Sequence, residues 1–289
     1  MKLVTYNHKD RESFGIVTGP DASPQGIVDL GDRYASLRDL LADENGLAFA
    51  RSREGNAPSV AWSDVQLAPV IPNPSKILCV GVNYASHVKE TGREMPAKPM
   101  MFTRFAESQV GANADMLCPK VSDQFDYEGE LAVIIGTRSR YVTPEQAMSR
   151  VAGYSCYNDG SLRDWQRHTQ QFAPGKNFPK TGAFGPWMVT ADALPDISAQ
   201  TLVTRLNGQV VQSATLDDLI FDVAALVSYC SSFITLEPGD VIITGTTGGV
   251  GAFHKPPLWM KAGDTVEVEI SGIGVLRNSI AKEAEDFVI

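Results

Sequence analysis

The stretch from Asp126 to Gly136 constrains the fold more than any other part of the chain. Its second half, Leu131 to Ile135, is apolar and rich in β-branched residues, which reads as a buried strand. Its first half carries Glu128 and Glu130 two residues apart. On a strand such side chains share a face, here with only Gly129 between them. Two carboxylates at the mouth of a buried strand repel each other and are costly to desolvate. A hard divalent cation such as Mg²⁺ or Mn²⁺ between them removes the conflict, because such ions prefer oxygen ligands. Taken alone, the Glu-x-Glu pattern is more often the solvated edge of a strand, so the rest of the chain must decide.

At 289 residues the chain has room for one large domain, or for a major domain with a small companion. The net charge of −9 argues against general nucleic-acid binding and against docking on an anionic membrane. An anionic substrate would have to be met by a local basic cluster. Cys79, Cys118, Cys156 and Cys230 show no C-x-x-C spacing, so they read as thiols in a reducing compartment, with neither zinc nor a disulfide scaffold. No apolar signal core follows the charged residues near Met1, and no apolar run approaches the roughly 20 residues of a membrane span. A cytoplasmic location is the expectation.

Residues 1–70 read as a small β-rich accessory domain. Leu3–Tyr6, Phe14–Val17 and Gly26–Leu30 are short strand-like runs, followed by a helix over Leu37–Leu41. Three prolines between Pro69 and Pro74 mark a boundary. A buried strand, Lys76–Val82, then leads into Asn83–Gly92, one or two helical turns that place His87 and Glu90 on one face. Pro99–Phe102 reads as a strand ending at Thr103-Arg104, where Arg104 either binds an anion or is solvated. Gly153–Asn158 is strand-like and delivers Asp159, and a helical segment follows through Arg163, Gln166 and His168. Pro174–Phe178 reads as a tight loop exposing Lys176. Asn207-Gly208 between apolar runs signals a hairpin, and helical spacing from near Leu216 to Ile234 predicts one long amphipathic helix. The glycine-rich Gly245–Gly251 loop lacks a P-loop ending, and its backbone N–H groups suit a carboxylate.

Together these residues resemble the fumarylacetoacetate hydrolase family. The motifs are Asn83-Tyr84-x-x-His87-x-x-Glu90, Glu128-x-Glu130, Asn158-Asp159-x-Ser161-x-Arg163-Asp164-x-Gln166, Gly175-Lys176-x-Phe178 and Gly245-Thr246-x-x-Gly249-Val250-Gly251. Their order and spacing match across residues 75–281. The resemblance implies an α+β, predominantly β fold: a mixed β-roll or β-sandwich catalytic domain over residues 71–289, behind the small N-terminal domain, and a homodimer. It implies Mg²⁺ or Mn²⁺ held by Glu128, Glu130 and Asp159. It also implies an active-site lysine at Lys176, a substrate-contacting Gln166 and a carboxylate-binding Thr246. His87 and Glu90 fall on a water-activating dyad in a lid segment. The chain departs from the family pattern in three places. Gly160 replaces a small aliphatic residue, Leu162 an alanine and Thr247 a proline, while Thr103-Arg104 stands where many members have lysine followed by proline.

The function expected on this basis is metal-dependent hydrolysis of a C–C bond in a 1,3-diketo acid of the acylpyruvate or fumarylpyruvate type, in aromatic-compound catabolism. The alternatives are decarboxylation of a 2-oxo acid such as oxaloacetate, or isomerisation or hydration of an unsaturated 2-oxo acid. A non-catalytic metal-binding protein is the least favoured. The expected partner is a small anionic 2-oxo or diketo acid, with no nucleic acid and no membrane.

Overall fold

In the computed structural model, residues 1–86, 88 and 94–284 are described. The chain is mostly β, with few and short helices. Its largest sheet has twelve strands. The hydrogen-bonded path runs Val60–Ala61, Gly26–Asp29, Arg11–Thr18, Lys2–His8, Gly182–Thr190, Val151–Asn158, Gly129–Ile135, Val241–Thr246, Ile77–Gly81, Met100–Arg104. A second sheet of five strands contains Gln209–Thr215, Thr201–Leu206, Thr265–Ile270, Gly274–Lys282 and Met116–Cys118.

The strand Gly129–Ile135 lies inside the large sheet, antiparallel to both its neighbours, and every residue of it is buried. Its alternation divides the core. Leu131, Val133 and Ile135 pack in a cluster with Leu202, Val266, Val268 and Ile270 of the five-stranded sheet. Ala132 and Ile134 pack in a second cluster with Leu3, Phe14, Leu37 and Leu40. Burial of each large aliphatic side chain contributes about 1.5–3 kcal/mol, so a strand apolar on both faces is stable only between two layers. Residues 1–70 supply one of those layers and also extend the sheet, since Lys2 pairs with Val189 and Leu3 with Met188.

The Asn207-Gly208 hairpin forms between Thr201–Leu206 and Gln209–Thr215, with both turn residues at positive φ (52° and 79°), as the tight turn requires. The long helix is shorter than its periodicity suggests. A single 3₁₀ turn covers Leu216–Asp218, and the α-helix begins only at Val223, where Asp222 caps it by accepting from Ala225 N at 2.8 Å. Between them, the backbone N–H groups of Ile220 and Phe221 donate to the main-chain and side-chain oxygens of Asn83, both at 2.8 Å. Those N–H groups are therefore unavailable to a helix. All four cysteines are free thiols. Among the described residues, no helix is long and apolar enough to cross a membrane.

Candidate metal centre and active site

The site forms where the ends of three strands meet. Glu130 lies in the central strand, and Glu128 sits just before it, outside the regular ladder. Asn158 pairs with Gly129 across the sheet, its side-chain Oδ1 accepts from Glu128 N at 3.0 Å, and Asp159 N donates to Glu128 O at 2.8 Å. This local weave turns Asp159 toward the two glutamates. One carboxylate oxygen from each of Glu128, Glu130 and Asp159 lies within 4.8 Å of the others, and all three residues are buried. Three hard oxygen donors so close in a buried place suit a divalent cation with open coordination positions.

The charges around the three carboxylates explain their unequal acidity. Burial alone would raise the Glu128 carboxyl, but Arg163 and Lys176 hold it down at about 2. Arg163 Nη1 and Lys176 Nζ each lie 2.6 Å from a Glu128 oxygen. Among the described residues, Glu130 has no cation in direct contact with it. Burial and the neighbouring Asp159 and Glu128 carboxylates push it well above the usual range, although Gly245 N donates to Oε2 at 2.6 Å. A cation bound among the three oxygens would relieve that repulsion.

Lys176 does not sit on an exposed loop. It ends the short helix Ala173–Lys176 and is 1% exposed, with Nζ 2.6 Å from both Glu128 Oε2 and Asp159 Oδ2. Burial would push its ammonium down, but the Asp159 and Glu128 carboxylates outweigh this and raise it. Gly175 allows the helix to nest this deeply, since a Cβ there would lie 2.5 Å from Gln166 N and 2.6 Å from Leu162 O. The Phe102 ring lies 5.0 Å from Nζ.

Arg104, expected to contact substrate, lies behind the site instead. It is fully buried and does not line the cavity. Nη1 binds Asp159 Oδ1 and the Gly160 carbonyl, Nη2 binds Thr181 Oγ1 at 2.9 Å, and Nε binds Ser108 Oγ at 3.2 Å. With its donors engaged on the protein, Arg104 orients a carboxylate of the triad rather than a ligand. The glycine-rich loop also serves the protein's own carboxylates. Gly251 N and Ala252 N donate to Asp126 at 2.7 and 2.9 Å, and Asp126 in turn holds Arg163 Nε at 2.8 Å. Thr246 borders the cavity, but its hydroxyl donates to Gly129 O at 2.9 Å and accepts from Gln212 Nε2 at 2.8 Å.

A cavity of about 300 Å³ opens over Glu128 and Glu130. Lys176, Arg163, Gln166 and Thr246 line its polar side, and Phe102, Phe172 and Phe253 its apolar side. Its size matches a small ligand, at the low end for binding cavities. Val82 also borders it, at φ 57°, a strained conformation for a β-branched residue and one that clusters at functional sites. Asp126, Val82 and Arg167 were not singled out from the sequence. Asp126 continues the i, i+2 series of Glu128 and Glu130, a signal that was present, whereas nothing local marks the other two. His87 and Glu90 lie outside the described residues, as does most of the expected lid segment.

Residues 76–281 match the model of the fumarylacetoacetate (FAA) hydrolase C-terminal family. The chain is 39% identical over 290 residues to a mitochondrial oxaloacetate tautomerase of Homo sapiens, covering 97% of this chain and 91% of that protein. Among solved structures, it is similar to a fumarylacetoacetate hydrolase from psychrophilic Exiguobacterium antarcticum, with a TM-score of 0.81 and 34% identity over 98% of this chain and 100% of that one. A maleylpyruvate hydrolase from Sphingobium sp. SYK-6, solved with manganese(II) and pyruvate, superposes with a TM-score of 0.80 at 26% identity, again over 98% of this chain and 100% of that one.

Proposed function

The chain belongs to the fumarylacetoacetate hydrolase family, and from that premise we propose that it is a divalent-metal-dependent enzyme interconverting the enol and keto forms of a small 2-oxo acid of the oxaloacetate class. The observation that carries this reading is the buried Lys176 ammonium, 2.6 Å from both Glu128 and Asp159 at the floor of the cavity. Such a group is a proton donor held beside the place where the oxygens of a 2-oxo acid would meet the carboxylate triad. Identity to an oxaloacetate tautomerase over nearly the whole chain supports the substrate class.

Glu128, Glu130 and Asp159 would hold Mg²⁺ or Mn²⁺, which supplies Lewis-acid stabilisation of negative charge on the substrate's 2-oxo oxygen. The protein's own residues then do the rest. Arg163 pins Glu128 from the side opposite Lys176, so the carboxylate cannot rotate away. The Phe102 ring, 5.0 Å from Nζ, limits the water around it. In the ketonising direction, Lys176 Nζ gives a proton to C3 of the enol, and the proton lost from the enol hydroxyl restores the ammonium. No bond between carbons breaks, and no water is consumed.

Hydrolysis of a C–C bond in an acylpyruvate is the second reading. His87 and Glu90 favour it, because a histidine oriented by a carboxylate can activate water. Ultraviolet loss of the enol band separates the two. Oxaloacetate enol should ketonise faster with enzyme and Mn²⁺, with no acceleration after EDTA treatment. Acetylpyruvate and fumarylpyruvate would be cut to pyruvate only under the hydrolytic reading, and His87→Ala should then abolish cleavage while metal binding persists. If Mn²⁺ binds and none of these substrates reacts, the proposal is wrong.

A further inference from the structure

Among the described residues, the cavity holds one basic residue that the chemistry above does not use. Arg167 follows directly on the short helix Arg163–Gln166 and lines the cavity on its exposed side, with Thr169 beside it. Among the described residues its guanidinium makes no ion pair. One helical turn further in, Arg163 is 8% exposed, and its Nη2 is buried with no hydrogen-bond partner among the described residues, although Nε and Nη1 are taken by Asp126 and Glu128. Buried to that degree, Nη2 is closed off from the cavity, so of these two guanidiniums it is that of Arg167 that a ligand can reach.

The charge balance points the same way. Asp126, Glu128, Glu130 and Asp159 are interleaved with Arg104, Arg163 and Lys176, four negative groups against three positive ones. A divalent cation turns that net of minus one into plus one, and Arg167 at the mouth makes plus two. A ligand carrying one carboxylate leaves the cavity positive, whereas a dianion balances it. The placement agrees, because Arg167 caps the C-terminal end of the Arg163–Gln166 helix on the cavity's exposed side while Glu128 and Glu130 line its buried part, so a ligand held at the triad would direct its far end toward Arg167.

Building on the proposed reaction, we infer that Arg167 forms a subsite for the distal carboxylate and makes the enzyme selective for 2-oxo dicarboxylates over 2-oxo monocarboxylates. Arg167 is a specificity-determining residue here and takes no part in the proton transfer. Near the surface it discriminates moderately, by about tenfold, because solvent screens an exposed charge pair.

The test compares oxaloacetate with its 4-ethyl ester, which keeps the 2-oxo acid end and removes the distal charge. Competition of each, pre-equilibrated between its enol and keto forms, against oxalate on the Mn²⁺-loaded protein, followed by titration calorimetry, reads affinity with no net reaction. The native protein should bind oxaloacetate about tenfold more tightly than the ester. Arg167→Gln should reduce that ratio to within about twofold of unity while oxalate affinity holds, and Arg167→Lys should restore part of it. An unchanged ratio in Arg167→Gln, or equal binding of the two ligands by the native protein, overturns the inference. Failure of the proposed reaction looks different. Oxaloacetate would bind with the expected selectivity, yet its enol would ketonise no faster than in buffer.

Discussion

Replacing Arg104 with methionine tests whether the triad is held from behind. The guanidinium is fully buried and makes four hydrogen bonds, to Asp159, Gly160, Thr181 and Ser108. Methionine fills much of the same volume but returns none of these bonds, and it leaves Asp159 Oδ1 buried without its cation. Removing one partner of a buried ion pair typically costs about 3–5 kcal/mol. For a chain of this size, roughly 2 °C of melting temperature corresponds to each kcal/mol, so the metal-free protein should melt about 6–10 °C lower. Asp159 would also lose its fixed orientation. Loss of a group that orients a metal ligand costs about 10–100-fold in metal affinity, readable by Mn²⁺ titration.

The two readouts separate the explanations. A protein destabilised only by a packing error would melt early yet bind Mn²⁺ almost normally once folded. If Arg104 orients the triad, both change, and Arg104→Lys falls between, because lysine keeps the charge but lacks the planar fork that reaches several partners. A methionine variant that melts within 2 °C of the native protein and binds Mn²⁺ with unchanged affinity would refute the reasoning.

Gly182→Ala approaches the same group differently. Its methyl carbon would lie 2.7 Å from Gln109 Oε1 and 2.8 Å from Arg104 Nη2, so about 1–3 kcal/mol of stability should be lost, visible as a lower urea midpoint. Glu130→Gln should abolish calorimetric Mn²⁺ binding and leave no activity that added Mg²⁺ or Mn²⁺ restores, whereas EDTA-treated native protein recovers fully. Lys176→Met should lower kcat on oxaloacetate enol by at least about 100-fold, the usual contribution of a positioned proton donor, while the protein still binds Mn²⁺. Asp29 gives a pH signature away from the site. Burial opposes its ionisation, but hydrogen bonds from Tyr6, Ser13 and Gly31 outweigh this and hold it below the usual carboxylate range. That stabilisation is complete above the unfolded value, near pH 4, and fades as pH falls through the lower folded value. Asp29→Asn should therefore lower the urea midpoint at pH 7 and lose much of that effect near pH 2.

The carboxylate strand and the Asn207-Gly208 hairpin were legible because their signals are local. A β-branched run needs two apolar layers, and a two-residue turn at positive φ needs residues that tolerate it. Glu128, Glu130 and Asp159 were legible as a set only through the order of several motifs, since Asp159 reaches the glutamates by a cross-strand pairing that no local window contains. The long helix was misjudged for the opposite reason. Residues 216–234 keep helical spacing, but Asn83, far away in sequence, takes the N–H groups of Ile220 and Phe221. Lys176 looked exposed because a Pro-Gly-Lys-Asn stretch is usually a surface turn. Its burial depends on partners at positions 128 and 159.

Arg104 was the hardest residue to read, and the structure links it to a second departure from the family pattern. Gly160 is not merely a smaller version of the usual aliphatic residue. A Cβ there would come within 2.1 Å of the Thr181 carbonyl, with Met116 and Phe125 also inside van der Waals contact. Thr181 cannot yield easily, because its hydroxyl accepts from Arg104 Nη2, while the Gly160 carbonyl accepts from Nη1 at 3.0 Å. The guanidinium thus ties residues 159, 160 and 181 into one unit. A lysine at position 104 could present donors from a single nitrogen only, and could not span these partners and Ser108 together. With the fork in place, residue 160 must approach the 181 backbone so closely that only glycine fits. The arginine and the glycine are therefore coupled through Thr181. Restoring an aliphatic residue at 160 should be tolerated better in an Arg104→Lys background than beside the native arginine.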